Sequence, residues 1–175
     1  LCQIGTTIFR TALASGLPIL ERRSHSYRVA YYEPAGTDAT IYNPWPDFRF
    51  INDTPAHILI QAKISGDNLS FEFWGTGDGR TATSSKSVIY NIVKPEPTKI
   101  IETTDLKPGE KKCTERAHNG ADAYFDYKVT YLNGEIKEKR FSSHYAPWQE
   151  VCLLGVEKLT APPETATSTP VTATD

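Results

Sequence analysis

Cys2, His25 and Asp38 are the residues of this chain whose types and order could do covalent chemistry. A thiol is a nucleophile near neutral pH only when its thiolate is stabilised, and the positive end of a helix and a nearby imidazole both do this. Cys2 heads an apolar stretch with helical spacing. His25 precedes the next strand-like run, and Asp38 is available to orient the imidazole, giving a nucleophile, a base and an orienter. The plainer alternatives are a buried core thiol for Cys2 and a backbone-satisfied loop residue for His25.

The order Cys, His, Asp, with the cysteine heading a helix and the histidine opening a strand, is that of the papain-like and transglutaminase-like class. Around His25 lies a polar cluster, Glu21, Arg22, Arg23, Ser24, Ser26 and Tyr27. Adjacent arginines can grip a carboxylate or phosphate bidentately. Arg22, Arg23 and Ser24, together with Thr6, form the expected substrate-binding set, and the alternative is a solvated charged turn. Asp38, Asp47, Asn52 and Asp53 lack the spacing of a compact calcium loop. The histidines at 25, 57, 118 and 144 form no zinc-spaced group with the cysteines, and no glycine-rich phosphate loop occurs. No metal or cofactor is expected. Tyr31, Tyr32, Trp45 and Trp74 could stack on sugar rings, although core or hairpin packing is the preferred reading of Trp74. Ser142-Ser-His-Tyr-Ala-Pro-Trp148 contains a histidine without a nearby nucleophile and reads as a strand corner.

These side chains must be positioned by a β-rich chain. Hydrophobic residues make up 39% and charged residues 23% of the 175, enough to fold most of the sequence. A net charge of −2 gives no basic stripe, so nucleic acid is excluded as an expected partner. Ile4, Ile8 and Ala12 recur at four-residue spacing, with Phe9 and Leu13 widening the stripe, and predict a helix from Cys2 to Ser15. Gly16 supplies a left-handed cap and Pro18 ends the helix. Strands are predicted over Ser26–Tyr32, Phe48–Ile51 and Val88–Val93, and a hairpin over 57–74 turns at Ser65-Gly66-Asp67-Asn68. A second hairpin over 124–142 turns at Asn133-Gly134, and a last strand covers Glu150–Val156.

Alternating proline and charge at Lys94-Pro-Glu-Pro-Thr-Lys99 predicts an extended connector. The expected fold is therefore α+β: a module over 1–94 with its N-terminal helix packed on an antiparallel sheet, then a small all-β module over 100–159. The Thr/Pro-rich stretch 160–175 is expected to be a disordered tail. Cys113 and Cys152 both fall in the second module and are the expected disulfide pair, with two buried free thiols as the alternative. The closed loop of about 40 residues corresponds to roughly 4 kcal/mol in the chain-entropy model, and such a bond implies an oxidising compartment. The chain contains no Met and opens on the helix-like stretch, which predicts a larger parent protein.

The stretches Leu1-Cys-Gln-Ile-Gly-Thr-Thr7, Ala12–Gly16, Glu21-Arg-Arg-Ser-His-Ser26 and Gly36-Thr-Asp-Ala-Thr40 resemble the VanW family. Phe48-Arg-Phe-Ile-Asn-Asp-Thr54 and Ile58-Leu-Ile-Gln-Ala62 continue the resemblance, which spans about residues 1 to 75. Family members usually carry a short glycine run before Cys-Gln, absent here, and Ser-Thr-Thr where this chain has Gly5-Thr6-Thr7. The resemblance implies a bacterial cell-envelope protein, often with an upstream membrane anchor and peptidoglycan-binding-like modules. It places Cys2, His25 and Asp38 inside motif stretches.

More weakly, the second module resembles the glycine-motif accessory β domain of surface proteins. Pro108-Gly109, the Asn133-Gly134 hairpin and Phe141–Tyr145 through Val151 to Gly155 carry that likeness; the cysteine pair departs from it. The expected function is a cell-envelope module that binds or remodels peptidoglycan or a related wall polymer, at the extracellular face or secreted. The alternatives are a cysteine-dependent amide hydrolase or transferase using Cys2, His25 and Asp38, and a non-catalytic adhesin stalk.

Overall fold

The computed structural model describes residues 1–160. Helix α1 (Cys2–Ala14) forms where the apolar spacing predicts it. Leu17 N–H donates to the Ala12 carbonyl and Gly16 N–H to that of Leu13, with Gly16 at φ +72°. This is the left-handed glycine cap that satisfies the last carbonyls of a helix. Eleven strands follow among the described residues: β1 (Ile19–Glu21), β2 (Arg49–Phe50), β3 (Leu59–Ser65), β4 (Asn68–Trp74), β5 (Thr81–Ser84), β6 (Val88–Val93), β7 (Lys99–Thr103), β8 (Lys111–Glu115), β9 (Gly120–Thr130), β10 (Ile136–Tyr145) and β11 (Val151–Gly155).

The long β9–β10 hairpin organises the sheets. β10 pairs along one edge of β9, and β5 and β6 share its other edge, all antiparallel. Side chains alternate across a strand, so Ala121, Ala123, Phe125, Tyr127 and Val129 of β9 lie buried on one face, joined by Phe141, Ser143 and Tyr145 of β10. Helix α1 packs on that face. Phe9 meets Phe141 edge-on at 5.6 Å, Phe141 stacks on Phe125 at 5.1 Å, and the Tyr127 hydroxyl donates to the Leu13 carbonyl at 2.9 Å. An aromatic run, Phe9–Phe48–Phe50–Phe73, carries the core outward to the β3–β4 hairpin.

A smaller sheet has β11 at its centre, parallel to β7 and antiparallel to β8. Cys152 and Cys113 are register partners across β11 and β8, and their sulfurs lie 2.09 Å apart, at disulfide-bond distance.

Several expectations are revised. Ser26–Tyr32 forms no strand; it ends in a single 3₁₀ turn, Ala30–Tyr32. The carbonyls of Tyr32 and Glu33 are taken by the Arg10 guanidinium rather than by a neighbouring strand. β1, β5, β7 and β8 are strands that the alternation pattern did not reveal. β5 and β6 precede the Lys94–Lys99 connector yet bond to β9 beyond it. The core under α1 is therefore completed by residues 121–145 and is not closed within 1–94. Trp74 is 57% exposed rather than packed, with its indole N–H on Glu72. The predicted tail, apart from Thr160, lies outside the described residues.

Phe141 joins the helix to the hairpin through three aromatic neighbours. Replacing it with alanine removes the transfer energy of a buried ring and leaves a cavity, a loss of about 3–5 kcal/mol. Phe141→Ala is expected to lower the thermal unfolding midpoint by roughly 10 °C, measured by circular dichroism.

Candidate active site

The site assembles from the helix start, the segment after β1, the loop at 36–41 and the end of β10. Cys2 is the first residue of α1, at the positive end of the helix dipole. It is half-buried and is the free cysteine of the described residues. Its thiol donates to the Ile41 carbonyl at 3.6 Å. The loop bearing Ile41 is clamped to the helix one turn on: the Thr6 hydroxyl donates to the Ala39 carbonyl (3.3 Å) and accepts from the Ala39 N–H (3.0 Å). Arg10, a further turn along, holds the 32–37 segment through Tyr32, Glu33 and both the carbonyl and hydroxyl of Thr37.

Asp38 is the centre of the arrangement. It is 2% exposed. Its Oδ2 accepts from the His25 backbone N–H at 2.7 Å and pairs with His25 Nδ1 at 2.6 Å. Its Oδ1 accepts from Arg22 at 3.2 Å and from the Tyr145 hydroxyl at 2.6 Å. A carboxylate is acceptor-only, so His25 Nδ1 must carry a proton, and in the neutral ring Nε2 is the unprotonated nitrogen available to act as a base toward Cys2. The ring is fixed from its face as well, stacked on Tyr32 at 4.4 Å.

The electrostatics follow from these contacts. Burial penalises the Asp38 carboxylate, but the His25 ring and backbone, Tyr145 and Arg22 outweigh it and bring its pKa down to about 2. Burial lowers the His25 pKa, but the Asp38 hydrogen bond and, after it, Cys2 outweigh burial, for a net rise. Burial also opposes ionisation of Cys2, yet the Ile41 backbone and His25 carry its pKa below the ordinary value. The Tyr145 hydroxyl, buried beside the Asp38 charge, is pushed up to about 12 and keeps its proton.

The three residues expected to do chemistry thus converge. The expected substrate-binding set is placed differently. Arg22 is 3% exposed at its side chain and fully committed, to the Asp38 carbonyl and carboxylate, the Gly36 carbonyl and the Ser143 hydroxyl. It is the counter-ion of Asp38 and has no donor left for a substrate. Thr6 is a backbone clamp. Arg23 is exposed and lies over the Trp45 ring at 4.6 Å, and Ser24 is half-buried. His25 and Thr40 open onto a cleft of about 1050 Å³ whose other walls include Tyr27, Tyr31, Arg116 and Trp148. Another cavity, of about 250 Å³ beside Leu17, Phe73 and Arg80, lies at the opposite end of α1 and touches none of these groups.

Tyr145 and Ser143 were missed by sequence reasoning, which read 142–148 as a strand corner. The available signal was the alternation of β10, which puts Phe141, Ser143 and Tyr145 on one face and turns His144 outward to Asp122.

The family described as VanW like protein matches residues 1–74. Residues 1–74 are a VanW-like region. Among curated proteins, the uncharacterized protein YoaR of Bacillus subtilis (strain 168) is 42% identical over 69 residues, which are 39% of this chain and 22% of that relative's length. Two solved structures have lesser similarity. An IgA1 protease G5 domain is 15% identical, with a TM-score of 0.30, covering 48% of this chain and 100% of its own. The G5 domain of HP0197 is 13% identical, with a TM-score of 0.23, covering 43% of this chain and 97% of its own. The Cys2, His25 and Asp38 cluster lies inside the VanW-like stretch, whereas Tyr145 and Ser143 lie outside it.

Two outcomes follow for this site. Asp38→Asn leaves the buried Arg22 cation without its counter-ion, and a loss of about 3 kcal/mol in chemical denaturation is expected. In the native protein the folded Asp38 pKa lies below its ordinary 3.8, so its stabilisation is complete above about pH 4 and is lost as the pH falls toward about 2. That acid limb, worth about 2 kcal/mol, should be absent from the pH dependence of Asp38→Asn. Separately, His25→Ala should raise the thiolate pKa of Cys2, read from its alkylation rate against pH.

Proposed function

We propose that this chain belongs to a bacterial cell-envelope protein that remodels peptidoglycan by cysteine-dependent attack on peptide amide bonds. The observation that carries the reading is the buried Asp38 carboxylate holding His25 by Nδ1 at 2.6 Å, with the opposite edge of the imidazole bare and Cys2 beside it at a helix N-terminus. An orienter, a base and an activated thiol are the three parts acyl transfer requires.

In this scheme His25 Nε2 takes the Cys2 proton as sulfur attacks the substrate carbonyl. The tetrahedral adduct collapses to a thioester, and the leaving amine departs with the proton from His25. An acceptor amine or water then attacks the thioester, His25 removes its proton, and the thiolate is released. An amine acceptor gives a transferase and water a hydrolase. The cleft onto which His25 opens has room for a wall peptide beside the imidazole.

The partner in this reading is peptidoglycan or a related wall polymer, and the location is the extracellular face of the envelope. The paired cysteines fit an oxidising compartment. No helix among the described residues is long and apolar enough to cross a membrane. The smaller disulfide-bearing sheet serves as an accessory wall-binding unit in this proposal.

A second reading, a wall-binding module without catalysis, draws on the exposed aromatics Tyr31, Tyr42 and Trp45. The adhesin-stalk reading depends on the Thr/Pro stretch beyond the described residues. Incubation with purified muropeptides separates these readings from the first. An acyl-enzyme mass on Cys2, absent in Cys2→Ala, is the expected result. Retention of muropeptides with equal affinity by both proteins, with no covalent adduct and no turnover, would sink the enzyme reading in favour of the binding one.

A further inference from the structure

The VanW-like stretch holds Cys2, His25 and Asp38 but leaves one side of the Asp38 carboxylate to be filled by the far end of the described chain. The Tyr145 hydroxyl fills it. It donates to Asp38 Oδ1 at 2.6 Å and accepts the Gly36 N–H at 2.7 Å, so one phenol fixes both the carboxylate and the loop that carries it. The neighbouring inward side chain of β10, Ser143, accepts from Arg22, the other partner of Oδ1. Gly36 sits at φ +87° with Ala123, Phe125 and Ser143 around it, a left-handed conformation that glycine adopts without strain. The loop is thus shaped to fit against the hairpin. We infer that Tyr145 is a positioning residue of the site: by holding Asp38 it holds the proton of His25 on Nδ1, and the β9–β10 hairpin is part of the functional unit rather than an appended module.

The inference rests on the acyl-transfer reading for its chemical meaning, but its geometry is independent of any substrate. The Tyr145 hydroxyl bonds Asp38 and the Gly36 N–H and neither Cys2 nor His25, so it acts through Asp38. The carboxylate would keep three of its four donors without the hydroxyl. The imidazole would stay nearby but be less firmly ordered, and the charge it feels from Asp38 would change. A purely structural tyrosine would affect stability alone. Tyr127 supplies that comparison: it is buried on the same hairpin, its hydroxyl bonds the Leu13 carbonyl at 2.9 Å, and it has no contact with Asp38.

The test is the pH profile of Cys2 alkylation in the native chain, Tyr145→Phe, Tyr127→Phe and His25→Ala, alongside their thermal midpoints. Both tyrosine variants are expected to lose stability. Tyr145→Phe alone should shift the Cys2 thiolate pKa and change the alkylation rate at neutral pH by about threefold, since one of four charge-assisted bonds to Asp38 is lost. Should Tyr145→Phe fail to fold, 3-fluorotyrosine at position 145 keeps the ring, makes the hydroxyl a stronger donor, and is expected to move the thiolate pKa in the sense opposite to loss of the hydroxyl. A profile that shifts with His25→Ala but is the same in native and Tyr145-altered proteins would overturn the positioning role and leave the acyl-transfer reading standing. A profile indifferent to His25→Ala as well would overturn both.

Discussion

A carboxylate buried to 2% exposure has to be satisfied on the spot, and Asp38 is satisfied four times over. An unpaired charge at that depth would ionise poorly or drive local unfolding. Its partners come from distant parts of the chain: Arg22 and His25 from the segment after β1, and Tyr145 from the end of β10. Folding must therefore bring the ends of the described chain together before the charge is tolerable. The interaction that holds these segments is the same one that fixes Nδ1 of His25 and leaves its other nitrogen to Cys2.

The apolar core makes that convergence reproducible. Helix α1 is seated on the β9–β10 face by Phe9, Ala12 and Leu13, while Thr6, nearer its start, and Arg10 supply polar clamps. Cys2, at the tip of the helix, is thus held by a rigid element whose other end is locked in the core. Sites borne on regular elements are positioned more finely than sites borne on loops. Here the loop at 36–41 gains comparable rigidity because both faces are occupied, by the helix on one side and the hairpin on the other.

The pinning is uneven in a way that suits chemistry. Asp38, Arg22 and Tyr145 form a saturated network with no donor or acceptor to spare for a ligand, whereas Cys2 is half-buried and has a single weak bond to the Ile41 carbonyl. Orientation is fixed where it must not vary, and the thiol is left free to exchange its partner. The two titrations also run in opposite senses: the stabilisation from Asp38 is lost on acidification, and that from the raised pKa of His25 is lost as the pH rises through its folded value from below. The ion-paired state of the network accordingly belongs to the interval between them.

The sequence alone determined the local elements and the identity of the reactive groups. The four-residue spacing of Ile4, Ile8 and Ala12, the cap at Gly16 and the hairpins at Gly66 and Gly134 follow from short-range rules, because their physical causes lie within a few residues. Cys2, His25 and Asp38 were legible for the same reason: few side chains can serve as nucleophile, base and orienter. What each polar side chain faces was decided only by tertiary structure. Arg22 and Arg23 are neighbours of identical chemistry, yet one is buried as a counter-ion and the other lies exposed over Trp45. Tyr145 and His144 are likewise adjacent, and only the pleat of β10, once docked on α1, sends the tyrosine to Asp38 and the histidine to solvent. Tyr145 and Asp38 are 107 positions apart, and no local periodicity encodes any of these partnerships. They exist because burying one charge requires its partners to be gathered from wherever the fold can supply them.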